Sequence, residues 1–287
     1  VTTARDLAEL VRLPAALTVP GDVMAGAAAA GWPARRGTAA LAAGSVCLYW
    51  AGMALNDYAD RDLDRIERPE RPIPSGRVRP RHALALAAAL TVAGLGLGAS
   101  AGRRALAATL PLAGTVWAYD LVAKRTVLGP VVMGAARGLD VLVGATGHIR
   151  PAVLPALAVA GHTAAVTALS RGEVHGTRPL FAASALACTV ATAALAGAGA
   201  VRGQGSAPRV TAVALAALYA LSVGRAQAGA VLHPNGPVVR RATGAGIRGL
   251  IPLQAALAAG TGSLGSAAAL LVAGPLTHVA TRKISPT

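Results

Sequence analysis

Apolar residues run along this chain in long blocks, separated by short polar breaks. The blocks fall at roughly 13–31, 37–55, 82–101, 104–119, 127–147, 151–170, 179–201, 208–230, 238–260 and 263–280. Most are close to the ~20 residues that a helix needs to cross a ~30 Å hydrocarbon layer. The pattern predicts ten helical segments. Only Gly260-Thr261-Gly262 separates the last two, so nine spans is the alternative count. The expected fold is all-α: a polytopic membrane bundle of about nine transmembrane helices around a central cavity. No block is replaced by a long polar stretch, so residues 1–287 read as a single domain.

Composition sharpens this picture. Hydrophobic residues make up 54% of the 287 positions and charged residues 14%, against about 25% charged in soluble domains. The formal net charge of +15 lies mostly in short loops, and aromatic residues are only 3%. That distribution speaks for a positive-inside bias and a lipid-bilayer environment, not for nucleic-acid binding. With the N-terminus in the cytoplasm, inside segments carry 18 Lys and Arg and outside loops carry 7. The expectation is therefore a multi-pass protein of the inner (plasma) membrane with a cytoplasmic N-terminus. Arginine greatly outnumbers lysine beside abundant Ala and Gly, which points to a bacterial source with a GC-rich genome. Cys47 and Cys188 have no metal-ligand spacing and read as packing residues.

The acidic residues are concentrated. Of 12 in the chain, six lie between Asp57 and Glu70, where the second apolar block ends. Asp57, Asp60 and Asp64 at i, i+3, i+7 would share one helix face, with Asp62 turned away. Three carboxylates on one stripe repel unless a cation lies between them. Mg²⁺ prefers oxygen ligands and is commonly held by one or two carboxylates plus substrate phosphates. The alternative is a hydrated acidic cap paired with nearby arginines. Asn56 before the stripe, and Arg68, Arg71 and Arg77 after it, favour Mg²⁺ with a diphosphate.

These residues resemble a known family. Asn56-Asp57-x-x-Asp60-x-x-x-Asp64, followed by Arg71-Pro-Ile-Pro-Ser-Gly-Arg77, is similar to the first motif of the UbiA superfamily of intramembrane prenyltransferases. Tyr119-Asp120-Leu-Val-Ala-Lys124-Arg125 resembles the loop that follows the family's fourth helix. The resemblance implies a membrane-embedded transferase that moves a prenyl group from a prenyl diphosphate to an aromatic or lipid-like acceptor. It implies Mg²⁺ held by Asp57, Asp60 and Asp64, with Asn56 beside them. Lys124, Arg125, Arg68 and Arg71 would receive the leaving diphosphate, with Tyr119 lining the site.

The resemblance also implies a second acidic motif at the end of the sixth span. Here that place reads Ser170-Arg171-Gly172-Glu173-Val174-His175-Gly176, with Glu173 as its one acid: it either contacts substrate, or with His175 a metal, or it pairs with Arg171 or Arg178. The pattern resembles an EboC-like subgroup found in bacterial biosynthetic and export clusters, which implies cluster proteins as partners. It also implies a second reading: a catalytically reduced member that binds or helps export an isoprenoid or other metabolite. The signature of CDP-alcohol phosphotransferases, Asp-Gly-x-x-Ala-Arg, is absent.

Inside the fifth span, Arg137 and Asp140 stand at i and i+3. Charges at membrane depth pair or face a cavity, so these two are either an ion pair or substrate contacts. Asp22, in the Pro20-Gly21-Asp22 break, lines the cavity or caps a helix. His148 and His162 read as loop and packing residues.

Overall fold

A computed structural model describes residues 2–12, 18–31, 36–199 and 205–272. Ten α-helices occupy most of them: α1 (Ala4–Leu10), α2 (Pro20–Ala29), α3 (Arg36–Glu67), α4 (Pro80–Ser100), α5 (Arg103–Leu121), α6 (Gly129–Gly144), α7 (Val153–Ser170), α8 (Pro179–Gly199), α9 (Ser206–Leu232) and α10 (Gly236–Gly260). Residues 264–272 begin a further helix. The rest of the last apolar block, with Arg282 and Lys283, falls outside the described residues, as do residues 13–17 of the first block.

The described helices follow the apolar blocks closely. Five helical stretches, Gly37–Glu67, Pro80–Ser100, Arg150–Ser170, Pro179–Gly199 and Ser206–Leu232, are long and apolar enough to cross a membrane by length and composition. The largest departure is α3, which runs 32 residues and carries the acidic stripe as a helical extension of the span. Its apolar block ends near residue 55, yet nothing after it breaks a helix until Pro69.

Sequential helices pack as neighbours: α3 on α4, α6 on α7, α9 on α10, with α2 wedged between α6 and α10. Small residues set these contacts, as expected where lipid removes the hydrophobic drive for helix association. The tightest crossing is reciprocal. A Cβ on Gly26 of α2 would lie 1.8 Å from the Val141 carbonyl oxygen, and one on Gly144 of α6 would lie 2.0 Å from that of Val23. Both helices therefore need glycine for their backbones to touch.

Polar groups buried in the bundle have specific partners. Asp22, fully buried in the first turn of α2, lies 2.7 Å from Arg137 Nε and accepts a hydrogen bond from Gln254 Nε2 at 2.7 Å. His162 is buried, with Nδ1 2.8 Å from the Tyr219 hydroxyl and Nε2 3.1 Å from the Gly246 carbonyl oxygen. This agrees with its reading as a packing residue.

Outside the bundle, α1 is fastened beside the acidic end of α3. Thr3 caps it, its Oγ1 accepting from the Asp6 amide at 3.2 Å while Asp6 Oδ2 accepts from the Thr3 amide at 2.9 Å. Arg77, from the Pro-Ser-Gly turn, reaches Asp6 Oδ1 at 2.9 Å and Glu9 Oε2 at 2.7 Å. Hydrogen bonds from Thr3, reinforced by Arg77, hold the Asp6 carboxyl down at about 2; Arg77 likewise lowers that of Glu9.

Candidate active site: a charged mouth over an apolar cavity

The acidic stripe forms as its spacing predicts, because α3 stays helical through Glu67. Asp57 and Asp64 are 4% and 2% exposed. Asp62 points away and pairs outside with Arg65 Nη1 at 2.9 Å. The stripe is neutralised by protein cations. Asp57 Oδ1 lies 2.9 Å from Arg12 Nη2 and 3.3 Å from Arg71 Nη1, and Arg71 Nη1 also lies 2.8 Å from Asp64 Oδ2. Asp60 takes Lys124 Nζ at 2.8 Å and Arg125 Nη2 at 2.9 Å, and Asn56 Nδ2 at 3.1 Å.

The structure thus brings Asn56, Asp57, Asp60, Asp64, Arg71, Lys124 and Arg125 together. A single 3-10 turn, Ala123–Arg125, presents Lys124 and Arg125 to α3. Arg171 steadies that turn through hydrogen bonds from its Nη2 to the Lys124 and Thr126 carbonyl oxygens. Arg68 is not part of the cluster: its amide closes the end of α3 on the Asp64 carbonyl oxygen at 2.8 Å, and its side chain is exposed.

Beneath the mouth lies a cavity of about 440 Å³. Arg12, Asn56, Tyr119, Asp120 and Ser170 line its charged end, and Leu48, Met53, Leu112, Val116, Met133 and Ile247 supply apolar wall. Arg137, Asp140, Ser45 and Tyr49 also line it. Arg137 and Asp140 do not pair with each other. Arg137 turns to Asp22, and both oxygens of Asp140 accept from Ser45 Oγ at 2.5 Å. The i, i+3 spacing placed the two on one face but could not show that other helices offer each a nearer partner.

The Ser170–Gly176 turn adds no carboxylate to the cavity. Ser170 reaches it, while Glu173 is not among its lining residues and meets Arg240 only through its backbone oxygen, at 3.4 Å. This departs from the substrate contact expected of Glu173, and its carboxylate forms no ion pair with Arg171 or Arg178 among the described residues.

Two mouth residues had no spacing signal. Arg12 lies 45 residues before Asp57 and reaches it from the end of α1, where its φ of +47° is the one positive value of a non-glycine among the described residues. A backbone in that region is uncommon for arginine and persists only when its surroundings hold it. Asp120 is 4% exposed and forms no ion pair among the described residues. A Cβ on Gly52 of α3 would stand 3.4 Å from its Oδ2, so α3 closes over it. The resembling motif contains Asp120, but the roles it implies fall to Tyr119, Lys124 and Arg125.

Among the described residues, no three His, Cys, Asp or Glu side chains already converge on a metal position. The donor chemistry still suits Mg²⁺: hard carboxylate oxygens in a partly hydrated mouth. Formally the mouth is balanced, with Asp57, Asp60, Asp64 and Asp120 set against Arg12, Arg71, Lys124 and Arg125. A divalent cation and a diphosphate arriving together disturb that balance far less than either alone.

Apolar spans around a small-residue core, with this mouth at one end, define a multi-pass helical membrane protein. The chain belongs to the UbiA prenyltransferase family, whose model matches residues 16–231. It is 45% identical over 116 residues to a digeranylgeranylglyceryl phosphate synthase of Halobacterium salinarum, covering 38% of this chain and 37% of that relative. A synthase of the same name from Methanopyrus kandleri is 37% identical over 102 residues, 35% of this chain and 38% of the relative. The chain therefore matches little more than a third of the length of these curated relatives. The solved apo structure of a UbiA homologue from Aeropyrum pernix superposes with a TM-score of 0.70 at 26% identity, covering 84% of this chain and 96% of that one. An Archaeoglobus fulgidus homologue, bound to DMAPP and Mg²⁺, superposes at 0.65 with 14% identity, covering 91% and 99%, and shows the shared fold. These relatives are archaeal, whereas the composition pointed to a bacterial source.

Proposed function

We propose that this protein is a Mg²⁺-dependent prenyltransferase that moves the prenyl group of a prenyl diphosphate to a small acceptor, within one domain spanning 1–287. The observation that carries this reading is the pre-paired mouth above an apolar cavity of about 440 Å³. The orientation that charge favours puts that mouth on the cytoplasmic side of the plasma membrane, where a soluble diphosphate arrives. Relatives named as digeranylgeranylglyceryl phosphate synthases favour a lipid-like acceptor over an aromatic one.

The mechanism is an exchange of partners. Asp57, Asp60 and Asp64 would hold the metal, giving up their arginine and lysine partners to do so. Arg12, Arg71, Lys124 and Arg125, released from the carboxylates, turn to the diphosphate oxygens. Mg²⁺ would supply Lewis-acid stabilisation of the leaving diphosphate. Charge developing on that group meets cations already in place, which is where preorganised electrostatics contributes most. The apolar wall from Leu48 to Ile247 holds the prenyl chain and keeps water from the allylic carbon. The Tyr49 and Tyr119 rings face the same space, and aromatic faces attract developing positive charge. The prenyl C–O bond breaks, the acceptor bonds to that carbon, and the acceptor's proton passes to Asp120, the mouth carboxylate with no ion pair.

The decisive measurement is mass-spectrometric detection of prenylated lipid in membranes supplied with Mg²⁺ and a prenyl diphosphate. Asp60→Asn should abolish product and the Mg²⁺-dependent thermal stabilisation by prenyl diphosphate together. Absence of that stabilisation in the wild-type protein would sink the proposal. One observation favours a second reading, a reduced member that binds or helps export an isoprenoid without transfer: Ser170 stands at the cavity with no acid from its turn beside it. Stabilisation by prenyl diphosphate without any product would favour that reading.

A further inference from the structure

A second charged concavity shares no lining residue with the mouth. It lies between α9 and α10, encloses about 680 Å³, and is lined by Ser222 and Arg225 of α9 and by Arg240, Arg241, Gly244 and Arg248 of α10. All four arginines are exposed. Every one of the chain's 12 acidic side chains lies among the described residues, and none forms an ion pair with any of the four. Arg240 donates only to the Glu173 carbonyl oxygen.

Depth makes this arrangement informative. α9 is one of the helices long and apolar enough to span, and α10 folds back along it after a short turn. A Cβ on Gly249 would collide with Val223 and lie 3.4 Å from the Tyr219 ring, so Arg248 sits level with Val223. At 1.5 Å per residue that is roughly 18 Å from the first residue of α10. With α9 crossing a bilayer, an exposed side chain at this depth would meet lipid, where an unpaired guanidinium is costly and marks a function or a missing counter-ion. Arg248 turns back to ease that cost: its Nη1 lies over Gly244, 3.3 Å from where a Cβ would stand. The guanidinium thereby climbs toward Arg240 and Arg241, as long basic side chains do near an interface. Alanine, glycine and proline leave the space between them open.

We propose that this groove binds the phosphate of an anionic phospholipid, its acyl chains lying along α9 and α10. Guanidinium groups match phosphate oxygens in pairs, and basic pockets between spans are suited to anionic headgroups. The groove runs beside α9, a helix long and apolar enough to cross a membrane, which favours lipid over free phosphate. This proposal does not depend on prenyl transfer.

The test uses the full-length protein in a neutral detergent, titrated separately with phosphatidylglycerol, phosphatidylcholine and inorganic phosphate. Phosphatidylglycerol alone should raise Tm, because a ligand that binds only the folded state stabilises it. Native mass spectrometry of the wild type from an equal mixture of the two lipids should show phosphatidylglycerol retained selectively. Arg241→Gln with Arg248→Gln should lose the Tm response. Gly244→Leu, which keeps every charge but fills the groove, should lose it too. Retention of the response in a folded variant, no lipid preference in the wild type, or an equal response to inorganic phosphate would each overturn the assignment.

Discussion

Arg71 Nη1 lies 2.8 Å from Asp64 Oδ2, and the same nitrogen lies 3.3 Å from Asp57 Oδ1. One guanidinium from the loop therefore occupies the ground between two turns of the acidic stripe. It stands where a cation would be needed to relieve the repulsion of those carboxylates.

Arg71→Gln should leave two buried carboxylates without their shared cation. Removing one partner of a buried ion pair costs about 3–5 kcal/mol, and the lower part of that range is expected here because Arg12 still serves Asp57. If the partner-exchange mechanism is right, Mg²⁺ should stabilise this variant more than it stabilises the wild type. Thermal unfolding with and without Mg²⁺ measures both effects. Equal responses of variant and wild type would contradict the exchange.

Lys124 Nζ, 2.8 Å from Asp60, is the most enclosed cation of the mouth, with a side chain 10% exposed. Lys124→Ala should lower kcat by about 10²–10³, as loss of one preorganised charge-stabilising donor does, with a smaller change in KM. Prenyl-transfer kinetics would show the split. A change confined to KM would mean that Lys124 only binds substrate.

Gly26→Val should destabilise strongly, because its side chain must enter the Val141 carbonyl oxygen. Overpacking usually costs about 1–3 kcal/mol, occasionally more, and a backbone atom cannot step aside. Ala at Gly96, where a Cβ meets nothing within 4 Å, is the control and should leave Tm nearly unchanged. Thermal unfolding of the two variants reports the difference.

The docking of α1 should respond to acid. Asp6 has its carboxyl lowered to about 2, and Glu9 is lowered too. A group depressed on folding contributes stability above its unfolded value and loses it as pH falls through the folded one. For Asp6 that window runs from the usual carboxylate value of 3.8 down to about 2. Amide exchange in residues 4–12 should be protected above this window and released within it. Arg77→Gln should release it at neutral pH. Protection unchanged across the window would rule out the clamp.

Much of the bundle was legible in the sequence. Runs of apolar residues gave helices such as α4 and α8 nearly to the residue, since a chain in lipid must satisfy its backbone within each segment. The stripe was equally readable: Asp57, Asp60 and Asp64 share a helix face by periodicity alone, and Asp62 faces away for the same reason. Lys124 and Arg125 came from a resemblance of local motif. Arg12 and Asp120 were missed, and Arg68 and Glu173 were placed in a site that their side chains do not enter. Arg12, Arg68 and Glu173 depend on where loops turn, which no periodicity encodes, and Asp120, in the last turn of α5, depends on α3 packing over it.

By itself, the sequence determined which segments are helical, which carboxylates share a face, and that charge gathers at one end of the spans. Those properties follow from local geometry and from the solvent each residue requires. Tertiary structure decided the partners: Arg137 with Asp22 instead of Asp140, Arg12 with Asp57, and Lys124 with Asp60. It also decided that four arginines of α9 and α10 share a groove without an ion pair to any carboxylate among the described residues. Ion pairs form between whichever charges the packing brings within a few ångströms, and here the packing is set by glycines such as Gly26 and Gly144, which show their effect only when two helices cross.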